Sequence, residues 1–176
     1  MKNYLRTQIK CRIINRNNKL AAGGEGVETI KWLSIADRYT KMYLDKRLEP
    51  LGLNSSQHMF VMKICEEPGI SQERLFSLIY LNPSNITRAI TALEKQGFLV
   101  KRPNPADRRT CFLDPTEKAR QTYPEILKIA GGWYEMALEG FTEEEKELFD
   151  RLAKKAGNNL LEEMCEEKEE RKNETP

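Results

Sequence analysis

The spacing of apolar residues along the chain predicts an almost entirely helical protein. In residues 29–51 apolar side chains recur at intervals of three and four, the period of a helix that buries one face. Pro50 and Gly52 end this helix, because proline disfavours helical geometry in the residue before it. The predicted buried face consists of Ile30, Leu33, Ala36, Tyr39, Met42, Tyr43 and Leu48.

Two shorter helices are predicted next. The first is capped by Asn54 or Ser55 and ends before Pro68-Gly69, a pair that breaks helices. The second runs from the cap Ser71 to about Tyr80. Their predicted inward residues are Phe60, Val61, Ile64, Leu75, Leu78 and Ile79.

A third short helix has the clearest start and end signals. Asn82-Pro83 combines a capping residue with a proline at the first helical position, where the missing N–H costs no hydrogen bond. Gly97 ends the helix as a C-cap. One apolar stripe is predicted along it, formed by Ile86, Ala89, Ile90 and Leu93.

A β-hairpin is predicted after these helices. The β-prone runs at residues 98–100 and 111–113 flank a charged, turn-rich segment at 101–109. Two such runs around a turn form an antiparallel pair, and the charges give the hairpin a basic tip.

Two further helices complete the pattern. Asp114, which is followed by Pro115, is predicted to cap a helix that reaches about Leu138. Gly131-Gly132 within that helix indicates either a bend or a close helix–helix contact. Thr142 opens a capping box for the last helix. Its apolar side is predicted to contain Leu148, Leu152, Leu160 and Leu161.

The 176 residues carry a net charge of only +2, but the charge is unevenly distributed. Residues 1–20 contain six basic side chains and no acid, and a Gly-rich linker follows at 21–26. This extension is either a solvated segment or an arm that adds phosphate contacts. Residues 82–113 contain six basic side chains against two acids, which is the footprint of a polyanion partner. Residues 162–176, with seven acids against three bases, are expected to be solvated and frayed.

Several function classes are excluded by what the sequence lacks. His58 is the only histidine, and neither a nucleophile motif nor a phosphate-binding glycine loop occurs. We therefore expect no enzyme activity, no cofactor and no metal site. The four cysteines are widely spaced, and Cys65 and Cys111 are expected to be reduced, small apolar fillers. With no apolar run of about 20 residues and no signal segment, the protein is expected in the cytosol, away from membranes.

Two short helices followed by a basic hairpin predict a winged helix-turn-helix. The second helix of that motif presents the polar residues of its N-terminal part to base edges in the major groove of double-stranded DNA. Side chains short enough to approach the bases and able to hydrogen-bond are abundant there. The predicted contacts on this helix are Ser84, Asn85, Thr87, Arg88, Thr91 and Lys95, and those on the wing are Arg102, Arg108 and Arg109. Asp107 is predicted to orient an arginine of the wing.

Four ordered segments resemble the MarR family of bacterial transcription regulators. They are Leu53-Asn54-Ser55-Ser56-Gln57, Asn82-Pro83-Ser84-Asn85-Ile86-Thr87-Arg88, Leu93-Glu94-Lys95-Gln96-Gly97 and Asp107-Arg108-Arg109. The resemblance covers residues 29–161. It implies a fold that is mainly α with a small β-hairpin wing, with winged-helix lobes in a homodimer. In this resemblance, Thr87 and Arg88 match the recognition helix, and Asp107 with Arg109 matches the wing.

The resemblance also divides the chain. Residues 1–28 would be a basic extension and linker, and 166–176 an acidic tail. Residues 54–113 would be the DNA-binding lobe, and residues 29–53 and 114–165 the dimerisation helices.

Two sub-branches of the family are disfavoured by departures in this sequence. Peroxide-sensing members have a reactive cysteine early in the first core helix, near the place of Ile30, and zinc-responsive members need several histidines. Members of the family often bind small aromatic or amphipathic effectors. Tyr39, Tyr43 and His58 are the candidate effector contacts, with ordinary core packing as the alternative.

Together these observations predict a homodimeric repressor that binds a pseudo-palindromic operator and is released by a small effector. The alternative is a winged-helix adaptor that docks protein and does not bind DNA.

Overall fold

The computed structural model describes residues 24–79, 83–105 and 110–173. The chain divides into two compact units, Met1–Tyr39 and Thr40–Pro176. The helices are α1 (Gly24–Leu48), α2 (His58–Glu66), α3 (Gln72–Ile79), α4 (Pro83–Lys95), α5 (Glu117–Ala137) and α6 (Glu143–Asn173). The strands are β1 (Ile70–Ser71), β2 (Leu99–Pro103) and β3 (Cys111–Pro115), and a 3-10 turn spans Glu49–Leu51. None of the helices in the described ranges combines the length and the apolar character that a membrane span requires.

Helix α1 begins earlier than the sequence pattern predicts. It starts at Gly24, so the predicted linker at 21–26 is wrong for its last three residues, and residues 27–28 are helical as well. The helix ends near the predicted place, where Gly52 adopts a left-handed φ of 73° after the 3-10 turn. The basic residues 1–20 lie outside the described part of the chain.

The apolar side of α1 is only partly buried within the chain. Leu44 and Leu48 belong to the core, as the period predicts for Leu48. The prediction of burial is wrong for five positions, which are exposed: Ile30, Leu33, Ala36, Tyr39 and Met42. Periodicity identifies an apolar face but not what covers it.

Helix α2 starts later than its predicted caps. The side chain of Asn54 accepts hydrogen bonds from the backbone N–H of Ser56, at 3.0 Å, and from its hydroxyl, at 2.6 Å. These bonds close a turn before the helix, and Gln57, the residue at the N-cap, makes no side-chain cap bond. Asn54 and Ser55 are therefore not the caps of this helix.

The sheet contains the predicted hairpin and one strand more. Its order is β1-β3-β2, and both pairings are antiparallel. In the hairpin Lys101 lies opposite Leu113, and in the additional pairing Ser71 lies opposite Phe112. The sequence analysis missed β1, which has only two residues.

The start of α5 corrects another prediction. Asp114 and Pro115 belong to β3, so Asp114 is not the helix cap. Thr116 caps α5 instead, its hydroxyl accepting from the backbone N–H of Ala119 at 3.3 Å.

The region of α5 around Gly131-Gly132 is continuous helix. A Cβ atom at Gly132 would lie 3.0 Å from the Tyr43 hydroxyl oxygen, and Trp133 Nε1 donates to Thr40 Oγ1 at 3.0 Å. The missing Cβ at Gly132 leaves room for the tip of the Tyr43 side chain, whereas nothing lies within 4 Å of the corresponding position at Gly131. The two interpretations of the glycine pair, a bend or a close helix–helix contact, stay predictions.

Helix α6 begins with the predicted capping box. Glu145 N–H donates to Thr142 Oγ1 at 3.2 Å, and Thr142 N–H donates to Glu145 Oε2 at 2.8 Å. The helix continues to Asn173, so the expected fraying of residues 162–176 is wrong as far as 173.

The core of the second unit collects the apolar residues of the predicted lobe. Helices α2, α3 and α4 contribute their inward faces, and the strands and α5 close the core from the other side. The largest fully buried side chains are Leu48, Phe60, Ile64, Ile70, Leu75, Ile86, Ile90, Leu93, Phe98, Leu99, Leu113 and Ile126. This core fixes α4 with its polar edge outward.

Candidate nucleic-acid interface

Helix α4 has one buried and one exposed side. The predicted stripe is confirmed at Ile86, Ile90 and Leu93, each at most 1% exposed. The positions between them point away from the core because a helix turns 100° per residue. The exposed side chains of its first two turns are Ser84, Asn85, Thr87 and Arg88.

The remaining candidates on α4 differ in their surroundings. Thr91 is partly buried, and its hydroxyl donates to the Thr87 carbonyl oxygen at 2.9 Å, within the helix. Lys95 is exposed in the last turn. The Gln72 side chain, at the start of α3, donates from Nε2 to Thr87 Oγ1 at 3.4 Å. The exposed edge of α4 therefore has a neighbour in α3 that the sequence did not reveal.

Arg102 lies on β2 and is paired across the wing. Its Nε donates to Asp114 Oδ2 at 3.1 Å, and its guanidinium carbon lies 5.1 Å from the Phe112 ring centre. The Arg102 side chain is still 57% exposed, so its guanidinium can reach an anion while Asp114 holds its Nε. Asp107, Arg108 and Arg109 lie outside the described residues.

An ion pair joins α4 to the wing. Lys101 Nζ on β2 lies 2.6 Å from Glu94 Oε2, and both side chains are partly exposed. Since surface pairs contribute little stability, we assign this pair to the alignment of the wing with α4. The sequence analysis counted both charges but had no signal for their contact.

The end of α4 is bonded to the start of α5. Gly97 has a left-handed φ of 77° and ends α4 as predicted. The Thr116 hydroxyl donates to the Gly97 carbonyl oxygen at 2.6 Å, and Lys118 Nζ donates to the Gln96 carbonyl oxygen at 2.8 Å. Phe98, which follows Gly97, is 1% exposed beneath this joint.

The three effector candidates occupy different environments. Tyr39 is 60% exposed. Tyr43 lies under Arg47, whose guanidinium carbon is 3.6 Å from the ring centre. The ring Nδ1 of His58 lies 2.8 Å from the Ser55 carbonyl oxygen. None of the three candidates lines the shallow surface depression of about 610 Å³, whose lining is Asp45, Lys46, Glu49, Leu53, Asn54, Ser55 and Ser56.

His58 and Asp45 hold the turn before α2 from two sides. The Ser55 N–H donates to Asp45 Oδ1 at 2.7 Å, and this bond lowers the pKa of the Asp45 carboxyl. Burial lowers the pKa of His58 below its ordinary value of 6.5. At neutral pH the His58 ring is therefore mostly neutral, and its Nδ1–H donates to the Ser55 carbonyl oxygen.

Acidification is expected to destabilise the protein through His58. Because the fold favours the neutral ring, the unfolded chain binds the proton more readily, so the free energy of unfolding falls as the pH drops through about 6.5. His58→Asn retains a side-chain donor near the position of Nδ1 and is expected to flatten that part of the pH profile. Urea denaturation of both proteins at a series of pH values measures the difference, and identical slopes would contradict it.

The described cysteines have the properties of structural thiols. Cys65 and Cys111 are unpaired and partly buried. Burial raises the pKa of both thiols, so both are protonated at neutral pH. Cys111 donates from Sγ to Gln72 Oε1 at 3.4 Å. Among the described residues no group of three or more His, Cys, Asp or Glu side chains is arranged to hold a metal ion.

Sequence comparison decides the family. A sequence model of the MarR family matches residues 53–111. The HTH-type transcriptional regulator YybA of Bacillus subtilis (strain 168) is 37% identical over 110 residues, which are 62% of this chain and 73% of YybA. The chain belongs to the MarR family. A second relative, the HTH-type transcriptional regulator BilQ of Clostridium symbiosum, is 25% identical over 72% of this chain and 88% of BilQ.

Solved MarR structures have the same fold. The MarR transcriptional regulator from Methanosarcina mazei Go1 is 32% identical with a TM-score of 0.68, over 76% of this chain and 97% of that one. A MarR family regulator from Listeria monocytogenes, solved with a 26mer DNA, is 29% identical with a TM-score of 0.74, over 80% of this chain and 93% of that one. The predicted family and fold class are thereby confirmed, and the relatives named are transcriptional regulators rather than enzymes.

Proposed function

We propose that this MarR-family regulator binds double-stranded DNA sequence-specifically and acts in the cytosol as a repressor. The observation that carries the proposal is the exposed edge of α4. Short hydrogen-bonding side chains and Arg88 lie there above a fully buried stripe, next to the β2–β3 wing. A recognition helix needs this combination of small size and polarity to approach base edges.

Two further findings support DNA as the partner. The Listeria monocytogenes relative of similar fold was solved with a 26mer DNA. In this chain, residues 82–113 carry a net charge of +4, whereas the whole chain carries only +2. Arg88, Lys95 and Arg102 are the exposed cations of that segment in the described structure, and we assign them to base or phosphate contacts. Ser84, Asn85, Thr87 and Thr91 are assigned to the groove-facing edge, and Arg108, Arg109 and Asp107 to the wing tip.

The salt dependence of duplex binding tests this proposal against the protein-docking alternative. The probe is a duplex selected by the protein from a random-sequence pool. We expect log affinity to fall linearly with log salt concentration, with a slope of several negative units, because bound cations leave the phosphates. Failure to bind any duplex at low salt would contradict DNA binding and favour the adaptor.

We propose that the active form is a homodimer built by the segments outside the lobe, residues 29–53 and 114–165. Large apolar side chains are exposed on α1 and, separately, on α6. Exposed apolar surface of this extent on helices is typical of an interface. On α6 the exposed residues include Leu148, Phe149, Leu152 and Leu160. A two-fold dimer would present two copies of α4 to successive major-groove turns, about 34–36 Å apart, of a pseudo-palindromic operator.

Leu152→Glu is expected to convert the dimer to a monomer. Leu152 is 53% exposed on α6, and a carboxylate there would have to be desolvated in an apolar interface. Lys154→Glu is the matched control, because position 154 faces another side of the helix. Light scattering after size-exclusion chromatography measures the masses. A monomeric parent, or a Leu152→Glu protein that remains dimeric, would contradict the assignment of α6 to the interface.

We also propose that a small aromatic or amphipathic effector releases the operator. Such a ligand would favour a lobe separation that does not fit two successive groove turns, which shifts the population of states without occupying the DNA surface. Tyr39, Tyr43 and His58 are the proposed contacts. The exposed ring of Tyr39 and the ring of Tyr43 beneath Arg47 support an aromatic ligand.

A further inference from the structure

Gln72 occupies a position created by the short strand β1. Ser71 pairs with Phe112, so the antiparallel register places the next residue, Gln72, beside Cys111. At this point the chain turns into α3, and the Ser71 hydroxyl caps the helix by accepting from Arg74 N–H at 3.1 Å. The strand pairing before Gln72 and the helix cap after it therefore fix its backbone.

The side-chain amide of Gln72 connects the wing to the exposed edge of α4. Its Oε1 accepts from Cys111 Sγ at 3.4 Å, and its Nε2 donates to Thr87 Oγ1 at 3.4 Å. The thiol keeps its proton because burial raises the pKa of Cys111, so it acts as the donor. This chemistry orients the amide, with the oxygen toward β3 and the nitrogen toward α4.

We propose that Gln72 is a positioning residue for operator discrimination, acting through Thr87. A helical threonine divides between two χ1 rotamers. The donor at Gln72 Nε2 selects the rotamer that places Oγ1 beside α3, and thereby fixes where the hydroxyl and the methyl group of Thr87 lie on the DNA-reading edge. This inference rests on the proposed DNA binding and adds a residue from outside the recognition helix.

Single base-pair variants of the selected duplex test the inference. Gln72→Met keeps the length of the side chain and removes both hydrogen bonds, and Thr87→Val keeps the shape and removes the hydroxyl. We expect Gln72→Met to lower affinity for the selected duplex by about two- to tenfold, the range of one hydrogen bond. It should also weaken discrimination at the same base pair as Thr87→Val. The double variant should bind the selected duplex with no lower affinity than the lower-affinity single variant, because both changes remove the same Gln72–Thr87 hydrogen bond.

Cysteine variants provide the matched controls. Cys111→Ser retains a donor to Gln72 Oε1 and is expected to discriminate between base pairs like the parent. Cys111→Ala removes that donor and lets the amide turn, so it should lose part of the affinity and discrimination that Gln72→Met loses. Circular dichroism confirms that each variant is folded.

Three results would overturn the inference. Additive effects of Gln72→Met and Thr87→Val at different base pairs would mean that Gln72 contacts DNA itself. A Gln72→Met protein with a lower Tm and unchanged discrimination would mean a merely structural role. Failure of the parent to bind any duplex at low salt would overturn the proposed function together with this inference, whereas the first two results leave the proposed function intact.

Discussion

Arg88→Ala is expected to weaken operator binding by about 1–3 kcal/mol, with about tenfold lost for every 1.4 kcal/mol. Arg88 is exposed in the second turn of α4, on the side opposite Ile86 and Ile90. A guanidinium in this place can donate two parallel hydrogen bonds to a guanine, which alanine cannot replace. Titration of a fluorescent selected duplex, and of variants with each base pair changed, measures affinity and discrimination together.

Lys95→Ala is the matched control for Arg88. Lys95 is also an exposed cation of α4, but it lies in the last turn. If it contacts a phosphate, its loss should weaken all duplexes equally and reduce the salt slope by about one. Arg88→Ala should instead relax discrimination at one position in each half-site. An Arg88→Ala protein that binds all duplexes like the parent would contradict the contact assignment.

Phe98→Ala is expected to lower the free energy of unfolding by about 3–5 kcal/mol, the usual range for removing a buried aromatic ring. Phe98 is 1% exposed. Its backbone N–H donates to the Leu93 carbonyl oxygen, and its carbonyl oxygen accepts from the Thr116 N–H. The ring also lies 4.1 Å from Lys118 Nζ, a cation–π contact that would be lost. The change leaves a cavity beneath the joint of α4 and α5.

Val100→Ala is the control for this prediction. Val100 is 51% exposed on β2, so its truncation should change stability by about 0.5 kcal/mol or less. Urea denaturation at one fixed protein concentration compares the variants, since the stability of the proposed dimer would depend on concentration. Equal losses for the two variants would contradict the placement of Phe98 in the core.

The core of the lobe could be predicted because its signals are local. Ile86, Ile90 and Leu93 recur with the helical period, and Pro83 and Gly97 mark the ends of the same helix. Start and stop signals of this kind act through the residues next to them, so the sequence alone is sufficient.

What the sequence did not predict depends on contacts between distant residues. Strand β1 is too short for a period, and only its pairing with β3 defines it. Asp114 before Pro115 is compatible with both a helix start and a strand end, and pairing with β2 decides for the strand. Likewise, nothing in the local pattern relates Lys101 to Glu94 or Gln72 to Thr87.

The candidate site was predicted in its residue types more than in its geometry. Ser84, Asn85, Thr87 and Arg88 do lie on one exposed edge. Their contacts with DNA stay a prediction, as do the roles of Asp107, Arg108 and Arg109, which lie outside the described residues. The exposed side of α1 differed from expectation because the pattern of a single chain identifies an apolar face but not whether the chain's own core covers it.

Two side-chain hydrogen bonds join the end of α4 to the start of α5. Lys118 and Thr116 donate to the carbonyl oxygens of Gln96 and Gly97, the two residues after α4, so a tilt of α5 about its Ala137 end would displace the end of α4. With 21 residues, α5 is about 30 Å long, and a tilt of about 5° displaces its far end by about 3 Å. That is close to the rise of one base pair, about 3.4 Å. In the proposed dimer, a small rotation of α5 about its Ala137 end would thus shift the start of α5, and the end of α4 bonded to it, by about the rise of one base pair.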